Sequence, residues 1–265
     1  ICNKLNIELK KINYTKEYKE RVFNQFLKDH EIGATPNPDV LCNREIKFDV
    51  FQKHAKEIGA KKIASGHYAK VIEKKNKFCI GKASDISKDQ SYFLYQLNSD
   101  LLENIEFPLG DLLKSEVRKI AGNYKLVNAQ KKDSTGICFI GDRKYNDFVG
   151  KYLKSKKGDI LSIDGEKLGT HNGHMYFTVG QRKGLGIGAR NSAFDQPWYV
   201  IKKNINRNIV YVGQGAEHPA LFSDELLADN MFWGINIEKN IPLECNAKVR
   251  YRDEDHTCKI LSLND

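Results

Sequence analysis

Apolar residues recur at two different periods along this 265-residue chain, and the switch between them limits the fold more than any other feature. The first third alternates strand and helix patterns. Leu5 to Ile12 has the period of two of a strand. Glu17 to His30 has helical spacing, with Tyr18, Val22, Phe23, Phe26 and Leu27 on one face. A breaker-rich loop, Gly33-Ala-Thr-Pro-Asn-Pro-Asp39, leads into a second amphipathic helix with Ile46, Val50, Phe51, Ala55 and Ile58 in register. Gly59 is placed to end that helix, and Lys62 to Ala69 reads as the next strand. Such alternation predicts an α/β domain with a mainly parallel sheet.

A hairpin is expected for Lys70–Glu73 against Lys77–Ala83, and helix for Asp89–Leu97, Ser115–Ala121 and the apolar stripe Tyr145, Phe148, Val149, Tyr152, Leu153. After about residue 157 the period becomes two. Ile160–Ile163 and Glu166–Leu168 flank Asp164-Gly165, a tight-turn pair. Trp198–Lys202 and Ile209–Val212 read as a further hairpin, and Leu226–Ile237 and Ala247–Leu263 as strands of a small terminal barrel.

Composition narrows the function classes. Lys and Arg total 43 against 34 for Asp and Glu, a formal charge of +9. That balance suits a polyanionic partner such as nucleic acid; Lys- and Asn-rich, Ala-poor coding is the competing explanation. No stretch approaches the roughly 20 apolar residues of a membrane span. No apolar leader with a cleavage site opens the chain. Six cysteines (Cys2, Cys42, Cys79, Cys138, Cys245 and Cys258) form no CxxC or zinc pattern, so no metal site is expected. Reduced thiols of a cytoplasmic protein are the default expectation.

Two of these cysteines have chemically suggestive surroundings. Cys42 follows the stiff Pro36-Asn-Pro38-Asp39 lead-in and falls at or just before a helix start, where unpaired N–H groups and Arg44 favour a thiolate. A buried structural cysteine is the competing reading, and the rigid lead-in favours function. Asp39 would raise the pKa of a neighbouring thiol, so it suits a proton shuttle toward a substrate better. Cys138 lies between Gly136 and Gly141 with Lys131, Lys132 and Arg143 nearby. Catalysis and burial in a strand are balanced there, and spacing alone does not say whether the two cysteines meet. Thr178-Val-Gly-Gln-Arg-Lys-Gly-Leu-Gly-Ile-Gly188 is a basic glycine-rich loop able to approach phosphates, without the spacing of a Walker loop. Lys88-Asp-Gln90 and Arg250-Tyr251-Arg252 read, by spacing alone, as solvated segments; the latter also offers two cations and a ring to a nucleotide.

Taken together, six blocks resemble the tRNA-specific 2-thiouridylase (MnmA) family: Thr35-Pro-Asn-Pro-Asp-Val-Leu-Cys-Asn, Ala64-Ser-Gly-His-Tyr, Lys88-Asp-Gln-Ser-Tyr-Phe-Leu, Asp133-Ser-Thr-Gly-Ile-Cys-Phe-Ile-Gly, Gly180-Gln-Arg-Lys-Gly-Leu-Gly-Ile-Gly and Arg250-Tyr-Arg. They occur in family order across nearly the whole chain. The resemblance implies part of an adenine-nucleotide α-hydrolase-like (PP-loop ATPase) domain at 1–104, with 137–148 returning to it. A central tRNA-binding domain at 105–220 and an incomplete C-terminal β-barrel at 225–265 are implied to follow. It implies ATP-dependent 2-thiolation of uridine 34 in tRNA anticodons, with ATP adenylating O2 and Mg2+ as the expected counter-ion of ATP. Cys138 would carry a persulfide received from a relay protein or cysteine desulfurase, and Cys42 would complete release, leaving a disulfide. Asn37, Pro38 and Asp39 match the segment that meets the target base, with Asp39 as acid/base. Gly66 matches an ATP contact, and Lys88, Asp89, Gln90, Arg250 and Tyr251 match tRNA contacts. The family's opening Ser-Gly-Gly-x-Asp-Ser loop does not occur here, so the chain reads as a piece lacking part of its first domain and its last strands, expected to be inactive by itself. A non-catalytic RNA-binding protein is the rival reading; it would bind tRNA equally well after Cys42→Ser and Cys138→Ser.

Overall fold

A computed structural model describes residues 1–132, 140, 143–188, 196–234 and 241–263. The chain divides into two compact units. One comprises Ile1–Tyr18, Asp39–Thr135 and Asn230–Asp265, and the other comprises Lys19–Pro38 and Gly136–Asp229.

The first unit is mixed α/β. Its longest helix is built from Pro38–Leu41, a π-helical stretch Cys42–Val50, and Phe51–Glu57, all of it but Pro38 in this unit. Phe48 and Ala55 on this helix pack with Ile63, Ala69, Leu94, Leu97, Leu102, Ile105 and Phe107 in one core cluster. The parallel pairing expected of an α/β domain is present: Ile63–Ala64 pairs in parallel with Ile105–Glu106. Ala69–Lys74 and Lys77–Lys82 form an antiparallel hairpin closed by Lys75 and Asn76, both at positive φ. A second hairpin joins Leu243–Ala247 to His256–Ile260.

The second unit contains a four-stranded sheet in the order Lys167–His171, Gly158–Ser162, Ile209–Gln214, Trp198–Asn204. The two central strands run parallel and the outer pairs antiparallel. Ile160, Leu168, Phe177, Leu185, Val200, Val210 and Val212 form its core. A separate cluster joins Phe26 of the helix Asn24–Glu31 to Ile140, Phe148, Val149 and Leu153. There the His30 ring nitrogen Nε2 and the Tyr145 hydroxyl lie 2.6 Å apart. Burial pushes His30 down to about 4 and Tyr145 up to about 12.

Several local expectations are corrected. Leu5–Ile12 is not a strand: a helical turn, Cys2–Leu5, precedes a run without regular secondary structure, whose Ile7 and Leu9 are exposed. Period-two alternation makes a strand only where a neighbour completes the ladder, and none does so among the described residues. The expected 62–69 strand shrinks to two residues. Asp89–Leu97 is not an α-helix but holds one tight turn, Ser91–Phe93, because Asp89 and Gln90 are bound elsewhere. The described part of 226–237 contains no strand; Leu226 and Leu227 are exposed and have no sheet to join.

Candidate active site and nucleic-acid interface

Proline sets the start of the Cys42 helix. Pro38 occupies the first helical position, where its missing N–H costs nothing and its fixed φ suits the helix. Asp39 therefore falls in the first turn, where the dipole favours a carboxylate. Cys42 lies a turn further in, half-buried, as the first residue of the π-helical stretch. This corrects the expectation that Cys42 sits at the helix start with unpaired N–H groups around it. A π-helical turn inside an α-helix is itself common at functional positions.

Asp39, Asn43 and Lys47 follow at intervals of four and share one helix face. Asn43 is 2% exposed, and its amide is used at both ends. Its Nδ2 donates to the Phe93 carbonyl at 2.9 Å, and its Oδ1 accepts from Lys47 Nζ at 2.9 Å. The next residue, Arg44, donates to Glu45 at 2.7 Å and to Gln96 Oε1 at 2.8 Å. Two adjacent side chains thus tie the Cys42 helix to the 93–96 segment. Burial raises the Asp39 carboxyl above the usual range, with Lys47 opposing. The shift favours the proton-bearing form relative to a free carboxylate.

Ser65-Gly66-His67 continues from the carboxyl end of the parallel strand Ile63–Ala64, where ligands of parallel sheets bind. Ser65 N–H donates to the Glu106 carbonyl at 2.9 Å. The Ser65 hydroxyl and His67 Nδ1 are 2.7 Å apart. His67 is 9% exposed, flanked by the Phe48 and Phe107 rings, and pushed to about 4 by burial first and Lys47 second. It is a neutral imidazole at physiological pH. A Cβ placed on exposed Gly66 would meet no atom within 4 Å, so the backbone there is open to a ligand such as a nucleotide.

The residues predicted to meet tRNA divide into two kinds. Asp89 accepts from Ala83 N–H at 2.7 Å and from the Ser91 hydroxyl at 2.6 Å. Gln90 exchanges two bonds with Tyr68, at 3.0 and 2.8 Å. Both brace the segment. Lys88 is half-buried at the end of a tight turn, and Arg250 is exposed. The Tyr251 ring lies 4.4 Å from Phe93 and 6.1 Å from Tyr92, centroid to centroid. The Tyr92 hydroxyl donates to the Val249 carbonyl at 3.2 Å. The structure thus brings the 88–97 segment and the Arg250-Tyr251 turn together. Beside them a cleft of about 420 Å³ is lined by Lys82, Tyr92, Tyr95, Phe232, Lys248 and Asp255 among others.

Asn37 immediately precedes the helix. The glycine-rich loop lies in the second unit with Thr35, whose hydroxyl is 3.0 Å from that of Thr178. Gly180 and Gly184 both have φ of +79°, a conformation open to glycine, and they turn the loop so that Arg182 and Lys183 are exposed. Cys138, with 133–139, lies outside the described residues. Sequence reasoning did not single out Asn43, Lys47 or His67. The interval of four from Asp39 and the position of His67 beside Gly66 were the available signals. Among the described residues no group of three His, Cys, Asp or Glu side chains is placed to hold a metal ion.

A family model described as the tRNA methyl transferase HUP domain matches residues 1–142, and one described as the tRNA methyl transferase PRC-barrel domain matches residues 146–214. The chain is thus a HUP (PP-loop) domain joined to a PRC-barrel domain, mixed α/β with a parallel pair. It is 51% identical over its whole length to the tRNA-specific 2-thiouridylase MnmA of Buchnera aphidicola subsp. Schizaphis graminum, covering 72% of that protein. The corresponding figures are 46% and 71% for the Stutzerimonas stutzeri protein of the same name, again over the whole chain. For the Serratia proteamaculans protein of that name they are 47% and 72%. The chain belongs to the tRNA-specific 2-thiouridylase family.

Proposed function

We propose that this chain carries the sulfur-transfer chemistry of a tRNA-uridine 2-sulfurtransferase, acting on O2 of uridine 34 in the anticodon. A uracil carbonyl oxygen is a poor leaving group, so ATP, as a second substrate, activates it, and Gly66 lies where the nucleotide would approach. Mg2+ accompanies ATP as its counter-ion. Asn37, Pro38 and Asp39 meet the target base, and Asp39 moves the proton. Cys138 carries the persulfide, delivered by a relay protein or cysteine desulfurase, and Cys42 resolves it. Lys88, Arg250 and Tyr251 supply charge and a stacking face to tRNA. Asp89 and Gln90 hold that surface in shape, and residues 105–220 extend the contact. The setting is cytoplasmic; no helix of the described residues is long and apolar enough to cross a membrane.

The observation that carries this reading is the helix on which Asp39, half-buried and with its carboxyl pKa raised by burial, stands one turn before Cys42, with the next residue, Asn43, anchoring that turn to the Phe93 carbonyl. The test is persulfide loading followed by turnover with ATP and unmodified tRNA in the intact protein. Cys138→Ser abolishes loading. Cys42→Ser still loads but loses thiolation by about a thousand-fold or more, some 4 kcal/mol of barrier. Loading that survives Cys138→Ser and sits on Cys42 reverses the two roles. Undiminished thiolation in both variants removes the two cysteine roles, whereas no thiolation by the parent protein, with tRNA bound equally well by both variants, favours a non-catalytic RNA-binding protein.

A further inference from the structure

Two cysteines that the proposed reaction does not use face one another across the terminal hairpin. Cys245 and Cys258 are directly opposed partners on the antiparallel strands Leu243–Ala247 and His256–Ile260, with their sulfurs 3.5 Å apart. Neither is fully buried. The neighbouring opposed pair, Glu244 and Lys259, has opposite charges 3.5 Å apart, which favours the same register. A slip of one residue would send the thiols to different neighbours. Opposed residues in an antiparallel ladder have Cα atoms about 4.5–5.5 Å apart, inside the roughly 4.4–6.8 Å that a disulfide accepts. The sulfurs must close by about 1.5 Å to bond, a movement within reach of side-chain rotation.

We propose that Cys245 and Cys258 form a redox-active dithiol, a modification site that low-molecular-weight disulfides convert into an intra-hairpin cystine. The Cys258 thiolate attacks one sulfur of the small disulfide and expels one thiolate. Cys245, releasing its proton to solvent, then attacks the mixed disulfide at Cys258 and expels the second. The pair loses two protons and two electrons, and the small disulfide takes up the electrons as two thiolates. The hydrogen bond with Cys258, with burial second, pushes the Cys245 thiol up. The bond closes a loop between residues 13 apart that contains Arg250 and Tyr251. On the reading above that turn meets tRNA, so the cross-link lies on an RNA-facing element, but its formation does not depend on that reading.

The test treats the reduced chain with glutathione disulfide, alkylates the remaining thiols and maps the peptides. The expected result is a Cys245–Cys258 linked peptide, loss of alkylation at both positions together, and reversal by dithiothreitol. Hydrogen exchange across residues 248–255 slows about tenfold in the oxidised chain. Cys245→Ser and Cys258→Ser each retain a glutathione adduct on the surviving thiol, because the second attack is removed. Independent alkylation of both cysteines after oxidation, stable glutathione on both in the parent chain, or linkage of either to Cys2 or Cys79 overturns the proposal. tRNA binding is measured in parallel: its absence from both redox forms counts against the proposed function and leaves the cystine result standing.

Discussion

Around the Cys42 helix, the buried polar side chains Asn43 and Gln52 bond to carbonyls some 50 residues away, whereas the centre of the four-stranded sheet is filled by Ile160, Leu168, Val200, Val210 and Val212, and its buried Ser162 and His171 accept from the nearby N–H groups of Glu166 and Gly173. The contrast is one of purpose. Hydrocarbon interiors gain stability from burial and tolerate modest changes in shape. A buried amide or imidazole gains little net stability and costs much if a partner is lost, but it has a defined direction. In the first unit the polar groups point at specific atoms: Asn43 at the Phe93 carbonyl, Gln52 at the Leu101 carbonyl, His67 at Ser65. Asn43 in this way anchors the helix turn that carries Asp39 and Cys42.

Three measurements test the difference between the two interiors. The largest effect belongs to the sheet. Ile160→Ala, at a fully buried position, lowers unfolding stability by about 2–5 kcal/mol, read from the urea midpoint. A loss under about 1 kcal/mol would mean that the sheet interior is more forgiving than its burial implies. Acid sensitivity is next, and both units share it. His67 in one unit and His30 in the other are pushed to about 4, against about 6.5 when unfolded. The unfolded chain therefore binds the extra protons, and stability is complete above about pH 6.5 and falls down to about pH 4. Each histidine contributes up to about 3 kcal/mol to that fall. Denaturation curves between pH 7 and pH 4 check it, and His67→Gln should flatten the dependence by its share. The smallest effect is that of Asn43→Ala, about 1–3 kcal/mol for the unpaired Phe93 carbonyl and displaced Lys47. Urea titration measures it. A neutral outcome would show that water replaces the amide and that the polar interior is not specifically directed.

Much of this is legible in the sequence. The stripe of Val22, Phe23, Phe26 and Leu27 lies in a helical run, and Asp164-Gly165 does turn the 158–171 hairpin, with Gly165 at φ +93°. What was missed depended on distant partners. Pro38 reads as part of a breaker loop, yet it opens the helix, because N–H groups of the first turn have no partner within the helix and the fixed φ of proline suits its first position. Asp89 and Gln90 look like a solvated helix start, but their side chains are claimed by Ala83 and Tyr68, 6 and 22 residues back. No local pattern announces that Cys245 opposes Cys258; register across a hairpin with a long turn is set by the strands' pairing as a whole. The Cys42 block was visible as a motif. The bonds of Asn43 to Phe93 and of Arg44 to Gln96 were not, since each spans about 50 residues of chain.

The first unit is assembled from Ile1–Tyr18, Asp39–Thr135 and Asn230–Asp265. On a ribosome adding about 5–20 residues per second, the last stretch follows Thr135 by roughly 5–20 s. A hairpin forms in about 1–10 μs once its residues are available. Tyr92 and Phe93 therefore wait, for an interval set by translation speed, for the Tyr251 ring that covers them. Codon usage between residues 136 and 229 becomes a timing element for the first unit, although none of those residues belongs to it.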